Sequence, residues 1–219
     1  MAGWFAARGG RRGLGYVLVP KVVRLRKAQK FKDVFCGSYC TFAISKDSAA
    51  VFVWGLNNYG QLGTGDTVNY YTPKKCKSLT ELNTDEEHHI HIASGQHHSI
   101  LKTAEGKVYS VGRADYGRLG LGENATEQHS PVQVVALRDE RVEEVGCGEV
   151  VSFAVTQQGT LYSWGMGNCL QLGSGNEDDV ESPLMVEGKN LNREEHEVLF
   201  ADAGGQHTLI MARQKPLSS

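Results

Sequence analysis

Proline is scarce in this chain, five residues in 219, and cysteine is equally sparse at five. An odd, thin set of cysteines excludes a disulfide framework and leaves reduced thiols, expected to serve as small buried residues. Long apolar runs are missing too. No window approaches the 18 uninterrupted apolar residues of a spanning helix, and the opening Met1-Ala-Gly-Trp-Phe5 meets Arg8-Gly-Gly-Arg-Arg12 instead of continuing into an apolar core. Neither a membrane span nor a secretory signal is therefore expected, and the cytosol or nucleus is the expected compartment. No large charge of one sign is present: 23 basic and 25 acidic side chains give a formal net charge of −2, with 40% hydrophobic residues. That balance excludes disorder as the main state. No phosphate-cradling loop of the Walker type and no serine or cysteine nucleophile motif occurs, which leaves bond-making enzymes without support.

Glycine is abundant instead, with 26 residues against a typical usage of roughly 7%. The near-neutral total also hides an asymmetry. Residues 1–32 hold Arg8, Arg11, Arg12, Lys21, Arg24, Arg26, Lys27, Lys30 and Lys32 and no carboxylate, so the remainder is acidic. One end of the chain is thus suited to polyanions or acidic protein surfaces, or is simply a solvated basic arm.

The glycines fall into an internal repeat. Val53-Trp54-Gly55, Ser110-Val111-Gly112 and Ser163-Trp164-Gly165 each lead into a Leu-Gly-x-Gly string at Leu62, Leu119 and Leu172. In the same phase recur Cys36-Gly37, Ser94-Gly95, Cys147-Gly148 and Ala203-Gly204, each followed by Thr or Ser (Thr41, Ser99, Ser152, Thr208) and an apolar strand. Thr72-Pro73, Ser130-Pro131 and Ser182-Pro183 mark a third landmark. Each unit reads as about four short strands, with hairpins turning at Glu105-Gly106 and Gln158-Gly159 through an expected two-residue loop. Ala49 stands where the other units have glycine, so a looser turn is expected there. Sustained helical periodicity is absent, and four short strands per unit of this length are the pattern of β-propeller blades.

The repeat register separates scaffold from candidate site. The recurring Ser/Thr is expected to hydrogen-bond inside each blade. The slot two residues after the loop glycine holds Tyr39, His97, Val150 and Gln206. The fold asks for nothing particular there, so His97 is either a partner-contacting residue on a rim loop or an ordinary exposed histidine. Cys36 and Cys40 near His88, His89 and His91 do not make a metal site on this reading, because Cys36 occupies the small-residue slot of Ser94, Cys147 and Ala203. Glu177-Asp-Asp179 reads as a solvated acidic loop at a rim.

Particular strings carry a family resemblance: Gly112-Arg-Ala-Asp-Tyr-Gly-Arg-Leu-Gly-Leu-Gly-Glu123, Gly95-Gln-His-His98, Phe5-Ala-Ala-Arg8-Gly-Gly-Arg11-Arg-Gly-Leu14 running to Leu18-Val-Pro-Lys21, and Gly204-Gly-Gln-His207-Thr. They resemble the C-terminal half of the regulator of chromosome condensation family, whose founding member is a seven-bladed propeller and guanine nucleotide exchange factor for the small GTPase Ran. The resemblance implies an all-β, incomplete propeller: a basic loop and remnant of a preceding blade over 1–19, repeats over 20–72, 73–130 and 131–182, and a partial repeat with tail over 183–219. Apolar sheet faces are then expected to stand open at the ends, as in a fragment or half-length form. It also implies a nuclear, chromatin-associated exchange factor that makes no covalent bond, needs no cofactor, binds no small-molecule substrate and does not enter a membrane. His97 and His207 match histidines on the family's GTPase-binding face. Arg8, Arg11 and Arg12 resemble a loop that docks on the acidic patch of the histone dimer, and Lys27 and Lys30 lie near a loop touching nucleosomal DNA phosphates, shorter here. The family's wedge-like hairpin and its important acidic residues belong to earlier blades, so weak exchange is expected of this chain alone. The other reading is a non-catalytic propeller-repeat interaction or chromatin-binding module.

Overall fold

The computed structural model describes residues 29–85 and 90–216. Strands β1 (Phe31–Cys36), β2 (Cys40–Ser45), β3 (Val51–Gly55) and β4 (Tyr70–Lys75) form one antiparallel sheet in that order. A second sheet repeats the plan with β5 (His91–Ser94), β6 (His98–Lys102), β7 (Val108–Gly112) and β8 (Gln128–Gln133). The third has β9 (Val142–Cys147), β10 (Val151–Thr156), β11 (Leu161–Gly165) and β12 (Val180–Met185), and β13 (His196–Ala203) and β14 (Thr208–Gln214) form a final pair. First strands pack on one another from sheet to sheet, β1 on β5, β5 on β9 and β9 on β13. Within the three four-stranded sheets the fourth strands are the most exposed. The sheets therefore fan outward from their first strands, which is the propeller arrangement the repeats predict. Among the described residues the one α-helix, α1 (Lys77–Leu82), buries only Leu79, and no helix is long and apolar enough to cross a membrane.

The second strands, Cys-Thr-Phe-Ala-Ile-Ser and Val-Ser-Phe-Ala-Val-Thr, are buried at every residue. Their β-branched and aromatic side chains suit a strand covered on both faces. The apolar core accordingly sits in the seams between sheets. Phe42, Val53 and Leu62 of the first sheet meet Ile92 and Leu101 of the second. Ile100 and Val108 meet Val145 and Trp164 of the third, and Phe153 and Leu172 meet Val198 and Ala201 of the last.

Polar links cross the same seams. Ser99 Oγ donates to the Gln61 carbonyl (2.9 Å), Ser152 Oγ to the Arg118 carbonyl (2.9 Å) and Thr208 Oγ1 to the Gln171 carbonyl (2.6 Å). The recurring hydroxyl thus ties each of these sheets to the one before it, and Ser99 also bonds Ser94 Oγ (2.9 Å) in its own sheet, the bonding within a blade that the sequence suggested. The reason is that the loop after each third strand turns its carbonyl across the seam, where a buried carbonyl takes its donor from the next sheet.

The hairpins also depart from expectation. Thr103 N–H bonds the Lys107 carbonyl (2.9 Å) while Gly106 N–H bonds Thr103 (3.0 Å), and Thr156 with Thr160 and Gly159 repeats the pattern. Three residues, not two, lie in each loop: a turn followed by a left-handed glycine, φ 78° in both. In the first sheet the closing bond runs from Ser45 N–H to the Ala50 carbonyl, one residue longer, with Ala49 at φ 50°. The repeat limits placed at 72, 130 and 182 fall inside β4, β8 and β12. Pro73, Pro131 and Pro183 therefore lie on outer edge strands, where a missing N–H costs nothing.

Cys40, Cys76 and Cys147 are buried, but Cys36 and Cys169 are exposed. Cys147 packs on His98 of the preceding sheet (3.6 Å to Nε2), whereas no described sheet precedes Cys36. The final pair leaves Leu209 and Met211 exposed, 68% and 54%, at positions whose equivalents in β10 are buried.

Gly112 links the scaffold to one rim. It holds φ +115°, and a Cβ there would lie 2.4 Å from the His97 carbonyl oxygen. Gly112→Ala is expected to destabilise the chain by about 2 kcal/mol or more and to shift the His97 amide resonance, measured by denaturant unfolding and NMR. Unchanged stability would show that the loop has slack there.

Candidate partner-binding rim

Loops between first and second strands gather at one rim and are bonded from sheet to sheet. Ser38 N–H donates to Gly95, Gln96 N–H to Glu149 and Glu149 N–H to Gly204, at 3.2, 3.1 and 3.0 Å. They surround a polar depression of about 370 Å³ whose lining includes Tyr39, Gln96, Glu149 and Gly205. The loops after the third strands rise beside them. His97, from a first-type loop, therefore meets Tyr59, from a third-strand loop of the preceding sheet, at 4.9 Å between ring centroids, and Tyr39 at 6.0 Å. The Arg113 guanidinium stands over the Tyr59 ring at 4.8 Å and its Nε donates to Asp115 Oδ2 at 2.6 Å.

His97 and His98 are neighbours with opposite roles, His97 ending the rim loop and His98 opening β6. His98 is fully buried in the seam, its Nε2 2.9 Å from Ser152 Oγ. Burial first, then the charge of Arg118, pushes its pKa down to about 3. His97 is half-buried, its Nδ1 has no partner, and burial followed by Arg113 and Arg118 holds its pKa below the usual histidine value. Nδ1 is itself buried, so the other ring nitrogen, Nε2, is the one an imidazole at a rim can offer to a docked surface as hydrogen-bond donor or acceptor.

The other expected site residues are placed as follows. His207 is exposed and occupies, on the last sheet, the slot that His98 fills on the second, so it does not join the His97 cluster. Lys30 is exposed, and its carbonyl accepts the N–H of Lys46 in the turn between β2 and β3. That is the opposite rim from His97, separated by the length of β1. Arg8, Arg11, Arg12 and Lys27 lie outside the described residues, as do His88 and His89. Cys40 bonds Ser94 Oγ at 3.1 Å, burial pushes its thiol up to about 11, and no group of three metal-ligating side chains forms among the described residues. Asp179 closes its own loop by accepting Gly167 N–H at 2.9 Å, a structural duty that the sequence reading of the acidic segment missed.

Arg113, Arg118 and Tyr59 also went unread in the sequence, although the repeat register marks two of them. Arg113 stands where sister units have Leu56 and Met166, and Arg118 where they have Gln61 and Gln171.

The RCC1-like domain family matches residues 6–210 of the chain. The chain belongs to this family. It is 45% identical over 215 residues to the regulator of chromosome condensation of Xenopus laevis, covering 96% of this chain and 49% of that protein. Identity to the human regulator of chromosome condensation is 43% over 219 residues, 98% of this chain and 50% of that one. The chain thus spans about half the length of the curated relatives it matches. Among solved structures it is similar to Prp20p from Saccharomyces cerevisiae, described with its binding properties to Gsp1p and histones, with a TM-score of 0.72 and 27% identity over 85% of this chain and 44% of that one.

His98 makes stability depend on pH. Its folded pKa of about 3 lies below the unfolded value of 6.5, so the unfolded state binds more protons as the pH falls between these limits. Stability is expected to be complete above about pH 6.5 and to fall by roughly 1 kcal/mol per pH unit below it. Denaturant unfolding of wild type and His98→Asn from pH 7 to 4 checks this: the variant should lose that part of the slope, and an unchanged slope would contradict the assignment.

Proposed function

We propose that this chain is the C-terminal portion of a chromatin-associated guanine nucleotide exchange factor for the small GTPase Ran, with the His97 rim facing the GTPase. The carrying observation is the His97–Tyr59–Arg113 cluster, formed by loops of two adjacent sheets at a slot where the repeat imposes no residue. Membership of the RCC1-like domain family and the binding of the similar Prp20p to Gsp1p and histones support the reading. No bond is made or broken in such a reaction. A rim that binds nucleotide-free GTPase better than the nucleotide-bound form must, by linkage, weaken nucleotide binding by the same factor. Loops fixed between first and second strands suit this role, since the Gly95 and Glu149 carbonyls are already taken by neighbouring loops, so less ordering is left to be done on docking. His207, exposed on the last sheet, is a second proposed contact.

Chromatin binding belongs to the basic N-terminal segment on this proposal, with Arg8, Arg11 and Arg12 forking onto histone carboxylates and Lys27 and Lys30 near DNA phosphates. Lys30 at the opposite rim supports a division of labour in which GTPase and nucleosome approach from different sides.

Two measurements test this. The chain should bind nucleotide-free Ran, with His97→Ala weakening binding about tenfold while lowering stability by no more than about 1 kcal/mol, since the imidazole gives up ring contacts with Tyr59 and Tyr39 but no Nδ1 hydrogen bond. Release of labelled GDP should be slow and need near-stoichiometric chain. No Ran binding, or equal binding by the variant, would overturn the GTPase reading, and binding without release would favour the non-catalytic module. Arg8→Ala/Arg11→Ala should abolish nucleosome capture and flatten its salt dependence; retained capture would place chromatin binding elsewhere.

A further inference from the structure

Arg118 is 1% exposed and among the largest fully buried side chains. Its Nε donates to the Asp115 backbone carbonyl at 2.8 Å, its Nη1 has no partner, and no ion pair to it forms among the described residues. A buried guanidinium without a carboxylate is costly. The sister sheets show that the scaffold does not require it. Gln61 and Gln171 fill the same slot, each with its side-chain oxygen accepting the N–H two residues earlier (Tyr59 and Cys169). What lies above Arg118 is a second arginine at a slot where the repeat has Leu56 and Met166. Arg113 is partly open, 31% at its side chain, with Asp115 as its single carboxylate partner at hydrogen-bond distance. Two positive charges therefore share one carboxylate. The cover over Arg118 is Tyr116, its ring 5.4 Å from the guanidinium carbon, 48% exposed, and held at φ +62°, a left-handed conformation uncommon for a bulky residue.

We infer that Arg113 and Arg118, with Tyr59 and Tyr116 as walls, form a receptor for an acidic side chain of a docked protein, Arg113 meeting the carboxylate at the surface and Arg118 meeting it once Tyr116 moves aside. The inference rests on reading this rim as partner-facing and adds the chemistry that the partner presents there: a carboxylate, for which paired guanidinium forks are suited. Glu149, the remaining carboxylate acting on this cluster through His97, lies on the depression side and pairs with neither arginine.

The repeat itself supplies the controls. Arg118→Gln and Arg113→Met install sister-sheet residues and should leave the fold intact, while Arg118→Lys keeps the charge. The probe is acetyl-Glu-Glu-Glu-amide, compared at matched ionic strength with acetyl-Gln-Gln-Gln-amide and followed through arginine Nε–H resonances. The wild type should bind the acidic peptide at least tenfold more tightly than the neutral one, with shifts centred on Arg113 and Arg118. Arg118→Gln and Arg113→Met should each lose about tenfold, and Arg118→Lys should keep most of the affinity. Equal binding of the two peptides, no shift at either arginine, or unchanged affinity in both neutral variants would overturn the proposal. Ran binding is measured in parallel. Peptide binding without Ran binding would sink the GTPase reading and leave the carboxylate receptor standing, whereas Ran binding unaffected by Arg118→Gln would sink the receptor alone.

Discussion

The seam between sheets is the constraint on which the rest of the molecule depends. A single four-stranded sheet of this size has two apolar faces and cannot bury either by itself, so each sheet is stable only against its neighbours. Packing alone would let such sheets slide. The hydroxyl of Ser99, Ser152 or Thr208, held by the carbonyl of Gln61, Arg118 or Gln171 in the preceding sheet, fixes the relative height of successive sheets. At the second seam Trp164 Nε1 adds a further bond to the Arg118 carbonyl at 3.0 Å, and His98 bonds Ser152. The seam therefore also sets where the rim loops stand relative to one another.

From that registration follows the candidate site. His97 meets Tyr59 only because the loop after β3 and the loop after β5 are brought level by the Ser99–Gln61 bond between their sheets. Gln61, Arg118 and Gln171 share a backbone duty at the seam, and only the second sheet replaces the glutamine, by Arg118, so that one position serves scaffold through its carbonyl and recognition through its side chain. The second sheet, with His97, Arg113 and Arg118 together, is where the rim departs furthest from its sisters.

Much of this was legible in the sequence, for physical reasons. Strand number and order followed from apolar runs and turn glycines, since those patterns arise from local sterics and burial. His97 could be singled out because a repeat provides its own comparison. The bond of Ser99 to Ser94 within its sheet was within reach of the sequence, but the seam partner of the recurring Ser/Thr could not be read, because a hydroxyl bonds equally well within a sheet or across a seam and only the loop geometry decides. Cys36 was misjudged for a related reason: its slot is buried in Cys147 by His98 of the neighbouring sheet, and a slot's burial depends on that neighbour. Arg113 and Arg118 were visible as exceptions to the register, but no local pattern announced that Arg113 would stack on Tyr59 or that a left-handed Tyr116 would cover Arg118.

Seams make the fold, and departures from the repeat make the binding surface. A variant giving the second sheet's rim the third sheet's residues, His97→Val, Arg113→Met and Arg118→Gln, separates the two directly when its unfolding midpoint and its affinity for nucleotide-free Ran are measured together. An unchanged midpoint with binding lost by a hundredfold or more is the predicted result. Retained binding, or a chain that no longer folds, would contradict it.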